Sequence, residues 1–275
     1  MTEQPRYGQL GPVPVPPPGG GDATPPRQPR PVRWAPSPIF LGILAVAIAT
    51  GWALYTGLGD GGIMAFLFVA SAWVVTLCLH EFAHAFVAYR NGDSSVVYRG
   101  YLTLNPLKYT HVVLSIVMPL IFLLIGGIGL PGGAVFIDRS ALRTRFSNTA
   151  VSAAGPLTNL VVAIVLATVI FFRPENSNFW AALAFLMFLQ LTAAILNILP
   201  IPGLDGYGII EPYLPRSWAG QAARIAPYVF FGFFILLLVP ALNRAFFGAI
   251  FGLAALLGVP SGLIGTGSEL FRFWL

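Results

Sequence analysis

Long apolar runs constrain the fold of this 275-residue chain more than any other feature. A helix needs about 20 residues to cross the hydrocarbon core of a bilayer, and several runs approach or exceed that length. Only 9% of the residues are charged, whereas a soluble domain carries roughly 25%. The sequence therefore predicts an all-α polytopic membrane protein with about five to six transmembrane helices. The candidate runs are 39–58, 63–89, 112–130, 148–172, 179–200 and 226–243, with a shorter apolar stretch at 245–258.

The first 38 residues have a different composition. They hold 12 of the 24 prolines and four arginines, and proline-rich sequence favours extended, solvated backbone that builds no core. Residues 1–38 are therefore predicted to be a disordered cytoplasmic tail, followed by a membrane-embedded domain over 39–275. The stretch "PVPVPPP" fits either a simple spacer or a ligand for a proline-reading domain.

Basic residues predict how the runs are oriented, because Lys and Arg collect on the cytoplasmic side of membrane proteins. The arginine-rich tail places the N-terminus inside, and the 63–89 run then returns to the cytoplasm. The net charge of +5 is attributed to these orienting Lys and Arg residues, so no nucleic-acid partner is expected. The 112–130 run is predicted to re-enter the membrane and leave on the same side, although hydropathy alone favours an ordinary span. The basic residues that flank it are Arg90, Arg99, Lys108, Arg139, Arg143 and Arg145.

The stretch "HEFAH" at 80–84 lies near one end of an apolar helix. Residues four apart differ by about 40° in direction, so His80 and His84 share a face. Two imidazoles placed in this way can bind one zinc ion, and Glu81 can reach a water on that ion as a general base. A chance pattern is the alternative. Ionisable groups inside a span are costly, by about 2.5–3.5 kcal/mol for Asp, Lys or Arg on insertion scales, which favours a functional role.

A zinc site of this kind needs a third protein ligand. Asp205 has the most distinctive setting, in "NILPIPGLDGYG" at the end of the 179–200 run, where prolines and glycines break the helix. Such a break allows a carboxylate to turn back into the bundle. Cys78 points away from His80 and is predicted to be a small core residue. The other candidates, which have less distinctive settings, are His111, Asp93, Asp138, Glu211 and Glu269.

Three motifs together resemble one family. "HEFAH" (80–84) matches HExxH, "AAGPLTNL" (153–160) is similar to a Gly-Pro-x-x-Asn element, and "NILPIPGLDG" (197–206) matches Asn-x-x-Pro-x-Pro-x-x-Asp-Gly. In this order they resemble the site-2 protease family of intramembrane zinc metalloproteases, in its short bacterial form without a PDZ domain. The resemblance covers about residues 63–213.

The resemblance implies one zinc ion per chain, held by His80, His84 and Asp205, with Glu81 as the catalytic acid and base. It also implies that Asn159 and Asn197 lie near the site and hold the substrate strand or the developing oxyanion. The expected substrate is a membrane-spanning protein of a bacterial cell membrane. The expected active site lies near the cytoplasmic side.

Other functions remain open at this stage. A metal transporter or a catalytically inactive scaffold could carry the same histidines, although a transporter is expected to offer several ligand sets along a path. A prenyl-protein protease also uses HExxH, but with a downstream Glu as the third ligand. The segment "VVYRGYLTL" (96–104) is predicted to form a β-hairpin that could hold an extended substrate.

Overall fold

The computed structural model describes residues 35–109, 135–173 and 177–275, and the regular structure in these residues is helical. Short 3₁₀ turns lie at Tyr101–Thr103, Pro106–Lys108, Arg139–Ala141 and Glu211–Tyr213. The α-helices are α1 (Pro38–Thr56), α2 (Gly61–Arg90), α3 (Ser95–Tyr98), α4 (Arg145–Phe171), α5 (Asn178–Ile198), α6 (Asp205–Ile210), α7 (Arg216–Leu236), α8 (Pro240–Leu256) and α9 (Ser261–Phe271).

Side-chain caps fix where the long helices begin. Asp60 accepts a hydrogen bond from the backbone N–H of Ile63 at 3.0 Å and so caps α2. Thr144 does the same for α4 through the N–H of Ser147, also at 3.0 Å. Such caps satisfy N–H groups that have no partner within the helix. Helix α1 ends at Gly57, whose φ of 71° is left-handed backbone that glycine adopts without strain.

The predicted membrane class is confirmed. Four of the described helices, α1, α2, α4 and α5, are long and apolar enough to cross a membrane. They coincide closely with four of the predicted runs. Helices α8 and α9 meet at an angle of 117° and supply a fifth span if the bent pair counts as one. The predicted run 226–243 is divided, because α7 ends at Leu236 and α8 begins at Pro240.

Helix α5 lies at the centre of the bundle. In its most apolar 18-residue window 89% of the residues are buried, against 44% or less in the other three long spans. A helix that is apolar on every side is typical of such a central position. It packs against α1, α2, α4 and α9. Gly267 of α9 allows close approach, since a Cβ atom there would overlap the carbonyl oxygen of Ala181.

The C-terminus of α2 and the N-terminus of α4 meet at one end of the bundle. The Ser147 hydroxyl donates to Oδ1 of Asn91 at 2.8 Å, and the N–H of Arg143 donates to the Asn91 carbonyl at 3.3 Å. The N-terminus of α1 reaches the same end, where the N–H of Ser37 donates to the carbonyl of Thr103 at 2.8 Å. We call this end of the bundle, where α2 ends next to Asn91, the site end.

The predicted re-entrant run 112–130 lies outside the described residues. The described residues on both sides of it contact α2. Before it, the Tyr109 hydroxyl donates to the carbonyl of Cys78 in α2 at 3.3 Å. After it, the N–H of Val135 donates to Oε2 of Glu81, three residues further along α2, at 3.1 Å. The two flanks of the run are therefore close together in space.

The prediction of a β-hairpin at 96–104 is wrong. The segment instead forms α3 and a 3₁₀ turn, joined at Gly100 with a φ of 76°. Val96, Tyr101 and Leu102 are buried beside α2. The β-branched and aromatic residues that suggested strands are used to pack a compact helical turn, because burial can override local propensity.

Candidate metal centre

The two histidines of HEFAH lie one turn apart on α2 with their Nε2 atoms 3.1 Å apart. Both residues are 5% exposed. Nδ1 of His84 lies 2.6 Å from the carbonyl oxygen of Val151 in α4. A carbonyl only accepts, so the proton is on Nδ1 and the Nε2 lone pair is left for a metal. A second hydrogen bond of this kind is common for metal-binding histidines, because it fixes the tautomer and the ring orientation.

Asp205 reaches the same place from the helix break that follows α5. Gly203 has a φ of 101°, which is left-handed backbone. Gly206 packs so closely that a Cβ atom there would overlap the carbonyl oxygens of Ile198 and Leu199. The chain therefore folds back tightly on the end of α5. Asp205 becomes the first residue of α6, directed at the histidines.

The three donor atoms form a nearly equilateral triangle. Oδ2 of Asp205 lies 3.3 Å from Nε2 of His80 and 3.3 Å from Nε2 of His84. Tetrahedral zinc with bonds of about 2.0–2.1 Å holds neighbouring ligand atoms about 3.3–3.4 Å apart. Two imidazoles and one carboxylate are also a donor set that zinc accepts, with a fourth position left open. The residues therefore fit a zinc ion, as the sequence predicted.

Charge supports the same assignment. Burial raises the pKa of the Asp205 carboxyl, but in the metal-free site the imidazoles of His84 and His80, when protonated, hold that pKa well below its usual range. A carboxylate that stays ionised is the form that binds a cation. The site thus combines one negative ligand with two imidazoles.

Helix α4 closes the site from the side. A Cβ atom on Gly155 would overlap Nε2 of His84 and Nε2 of His80. Only glycine lets the α4 backbone pass this close to the donor triangle. The "GPLTN" motif was predicted to lie near the site, but this steric role of its glycine was not. This steric role depends on how α2 and α4 pack together, which the sequence does not show.

Glu81 lies beside the triangle and is 1% exposed. Its Oε1 is 4.0 Å from Nε2 of His80, outside the close contacts of the three ligands. Its Oε2 accepts a hydrogen bond from the N–H of Val135 at 3.1 Å. One carboxylate oxygen is thus held by the backbone, and the other faces the donor triangle. A cavity of about 340 Å³ opens here, with Glu81, His84 and Asp205 in its wall.

The two predicted asparagines are buried. Asn159 and Asn197 are 5% and 4% exposed. Within the described parts of the chain, neither makes a hydrogen bond to His80, His84 or Asp205. Asn159 lies one turn beyond Gly155, so it shares the face of α4 that points at the site. The substrate or oxyanion role of these two residues stays a prediction.

Sequence reasoning missed two backbone partners, the carbonyl of Val151 and the N–H of Val135. Neither has a sequence signal, because any residue offers these groups. Asp93 was noted only as a poor ligand candidate. Its position in the sequence could have revealed its role, because a carboxylate in the "NGD" turn directly after the HEFAH helix is well placed to bind backbone N–H groups.

Comparison with known proteins identifies the relatives of this chain. It is 45% identical over 253 residues to a protein of Mycolicibacterium smegmatis named "Putative zinc metalloprotease Rip2", covering 89% of this chain and 97% of that protein. A Mycobacterium tuberculosis protein of the same name is 46% identical over 248 residues, covering 87% and 94%. The chain belongs to the site-2 protease family.

More distant members of the family include a Bacillus subtilis protein named "Putative zinc metalloprotease YwhC". It is 31% identical over 176 residues, which cover 61% of this chain and 78% of that protein. No family model matches the chain. No solved structure matches it either. Membership in the site-2 protease family therefore rests on the relatives, and the donor triangle agrees with their names.

Proposed function

We propose that this protein is a zinc metalloprotease of the site-2 type, which hydrolyses peptide bonds of membrane-spanning proteins within or close to the bilayer. The observation that carries the proposal is the triangle of His80, His84 and Asp205 with the Glu81 carboxylate beside it. His80, Glu81 and His84 lie within α2, which is long and apolar enough to cross a membrane, and Asp205 follows the end of the spanning helix α5. Buried ionisable groups in such helices are usually functional.

The residues of the chain have separate roles in the reaction. His80, His84 and Asp205 would hold zinc, which lowers the pKa of a water and polarises the scissile carbonyl. Glu81 takes the proton of the attacking water on the oxygen that faces the triangle. It then passes that proton to the leaving amine as the peptide bond breaks. The hydrogen bond from Val135 keeps the Glu81 carboxylate in place for both transfers.

The cavity supplies the water and part of the substrate path. Arg139 and Ser152 lie in its wall next to the apolar side chains of Val135 and Ile137. A peptide bond in a transmembrane helix is hydrogen-bonded internally, so the substrate must unwind before its carbonyl can reach the site. Asn159 and Asn197 are proposed to hold the unwound strand or the developing oxyanion.

The site is proposed to face the cytoplasm of a bacterial cell membrane. Six basic residues lie in the segments at the site end, whereas the loop between α1 and α2 has no Lys or Arg. Basic residues favour the cytoplasmic side. The N-terminus of α1 also lies at the site end, so the tail over residues 1–38 joins the domain over 39–275 on that side. This arrangement requires the 112–130 run to enter and leave on one side.

The alternatives are less well supported. A metal transporter is expected to have successive ligand sets along its path. The residues that the structure describes contain one group of metal-ligating side chains, and it is the compact triangle. An inactive scaffold would not need Glu81 oriented by Val135. A prenyl-protein protease would require a Glu ligand, and Asp205 occupies that place.

The proposed activity can be tested on purified protein in detergent or proteoliposomes. We expect the wild-type protein to cleave a membrane-spanning reporter. Cleavage should stop after treatment with a chelator and resume when zinc is restored. Mass spectrometry of the products should place the cut within or close to the spanning segment. Cleavage that survives complete removal of metal, or that falls only in soluble flanking sequence, would contradict the proposal.

A further inference from the structure

A short extended segment, Val135–Asp138, forms part of the wall of the active-site cavity. Val135 and Ile137 line the cavity. Phe136, between them, is exposed and stacks against Arg99, whose guanidinium carbon lies 4.5 Å from the ring centroid. Side chains that alternate in this way are typical of extended backbone. We call residues 135–138 the strap.

The strap is held at both ends by buried carboxylates. At its first residue, the Val135 N–H donates to Oε2 of Glu81 at 3.1 Å. At its last residue, the Asp138 N–H donates to Oδ2 of Asp93 at 2.8 Å. Asp93 and Glu81 are each 1% exposed. Breaking such a bond leaves a buried donor and a buried acceptor without partners, which is unfavourable, so both bonds hold the strap in place.

Asp93 is itself fixed to the HEFAH helix. Its N–H donates to the carbonyl of Ala88 in α2 at 3.0 Å, and its Oδ1 accepts from the N–H of Ser95 at 2.8 Å. Gly92 before it has a φ of 124°, and a Cβ atom there would crowd the carbonyl oxygen of Ala141. The Asp93 carboxylate therefore has little freedom to move relative to α2.

We propose that Asp93 is a positioning residue for the reaction: it anchors the far end of the strap, whose near end orients the Glu81 carboxylate. The inference rests on the proposed function, because it assumes that Glu81 is the general base. Asp93 binds no metal in this account. It acts through Val135, by keeping the N–H of that residue directed at Glu81.

The proposal predicts a specific kinetic pattern. Loss of the anchor lets Glu81 leave its productive geometry, and a misplacement of about 1 Å can lower a rate roughly 100-fold. We expect Asp93→Ala to lower kcat by about 10- to 100-fold on that basis. KM and the zinc content should change little, since the ligands and the bulk of the cavity wall remain. Zinc loss that parallels the loss of kcat would instead indicate a general structural role and overturn the proposal.

A backbone variant tests the same contact from the other side. Asp138 has a φ of −76°, which proline can adopt. Asp138→Pro therefore removes the N–H that donates a hydrogen bond to Asp93. Asp138→Ala loses the same side chain but keeps the N–H, so the difference between the two variants isolates the hydrogen bond. We expect the proline variant to lose much more kcat than the alanine variant.

The losses of kcat caused by the two changes should not be additive. Residues that act through one contact show non-additive effects in a double-mutant cycle. The Asp93→Ala and Asp138→Pro double variant should be no slower than the slower single variant. Losses that multiply would mean that the two residues act independently, which would overturn the proposal.

Amide hydrogen exchange tests the anchoring without any cleavage assay. In zinc-loaded protein, Asp93→Ala should speed exchange at the Asp138 and Val135 amides, while exchange within α5 stays unchanged. Unchanged exchange at both amides would overturn the anchoring, whatever the activity. A wild-type protein that fails to cleave any spanning reporter would instead overturn the proposed function.

Discussion

At the scale of single residues, the site depends on ligands that reach it and on glycines that leave room for it. His80 and His84 were predictable from their spacing, because one helical face follows directly from sequence. The close approach of Gly155 was not predictable, because it depends on how α4 packs against α2. Ligand variants and a glycine variant therefore test different parts of the account.

Removing one imidazole should remove the metal. We expect His80→Ala and His84→Ala each to lose most of the single bound zinc, since each deletes one of three protein ligands. The matched control is Cys78→Ala, which changes a buried residue of the same helix that is outside the donor triangle. Elemental analysis of the purified proteins measures their zinc content. Full zinc content in a His80→Ala, His84→Ala double variant would rule out this site.

Filling the space at Gly155 should also disrupt the site. In Gly155→Ala the new methyl group would overlap both Nε2 atoms, so we expect strongly reduced zinc content and cleavage. Gly252→Ala is the control, because a Cβ atom there meets nothing within 4 Å. That change should slightly favour the helix, by about 1 kcal/mol on propensity scales. Normal zinc binding in Gly155→Ala would show that α4 does not pass so close.

At the scale of elements, the long helices were predictable and the short ones were not. The runs 39–58, 63–89, 148–172 and 179–200 correspond to α1, α2, α4 and α5, because length and hydropathy are strong signals. The segment 96–104 was mistaken for a hairpin, since short apolar runs do not distinguish a strand from a buried turn. The placement of α6 follows from the Pro and Gly break before Asp205.

The position of α6 can be weakened without changing a ligand. The Thr149 hydroxyl of α4 donates to the Ile209 carbonyl of α6 at 2.9 Å. Thr149→Val removes this bond, which is worth about 1 kcal/mol. We expect zinc affinity to fall about 5-fold, because 1 kcal/mol corresponds to about that factor.

Competition with a chelator of known affinity measures the change. Thr168→Val is the control on the same helix, since the exposed Thr168 hydroxyl bonds within its own helix, to the carbonyl of Ile164. Equal zinc affinity in the two variants would show that α6 is held independently of Thr149.

At the scale of the whole molecule, the proposed topology is based on contacts and charge. The segments before and after residues 110–134 contact α2 at Cys78 and Glu81, three residues apart. The N-terminus of α1 lies at the site end. The excess of basic residues there predicted a cytoplasmic location from the sequence. The run 112–130 itself lies outside the described residues, so its path stays a prediction.

Cysteine labelling in intact cells tests this topology. In a Cys78→Ala background, cysteines at Ser94 and Ser140 should both resist a membrane-impermeant reagent and react after the membrane is opened. A cysteine at Leu58, in the loop between α1 and α2, should react in intact cells. Both Ser94 and Ser140 are exposed, and Leu58 is 61% exposed. Labelling at Ser140 alone in intact cells would mean that 112–130 crosses.

The central claim is that His80, His84 and Asp205 bind the metal while Glu81 moves the proton. Glu81→Gln keeps the shape of the side chain but cannot accept that proton. General acid–base groups contribute about 10²–10⁴-fold, so cleavage should fall by that factor while zinc content stays at the wild-type level. Asp205→Asn replaces a charged ligand with a neutral amide and should lose zinc as well as activity.

Cleavage of a membrane-spanning reporter, with zinc measured on the same samples of wild-type, Glu81→Gln and Asp205→Asn protein, is the most direct test. We expect an inactive, zinc-loaded Glu81→Gln protein and an inactive, zinc-depleted Asp205→Asn protein. Glu81→Gln protein that cuts like wild type would contradict the account. So would zinc lost from Glu81→Gln but retained in Asp205→Asn.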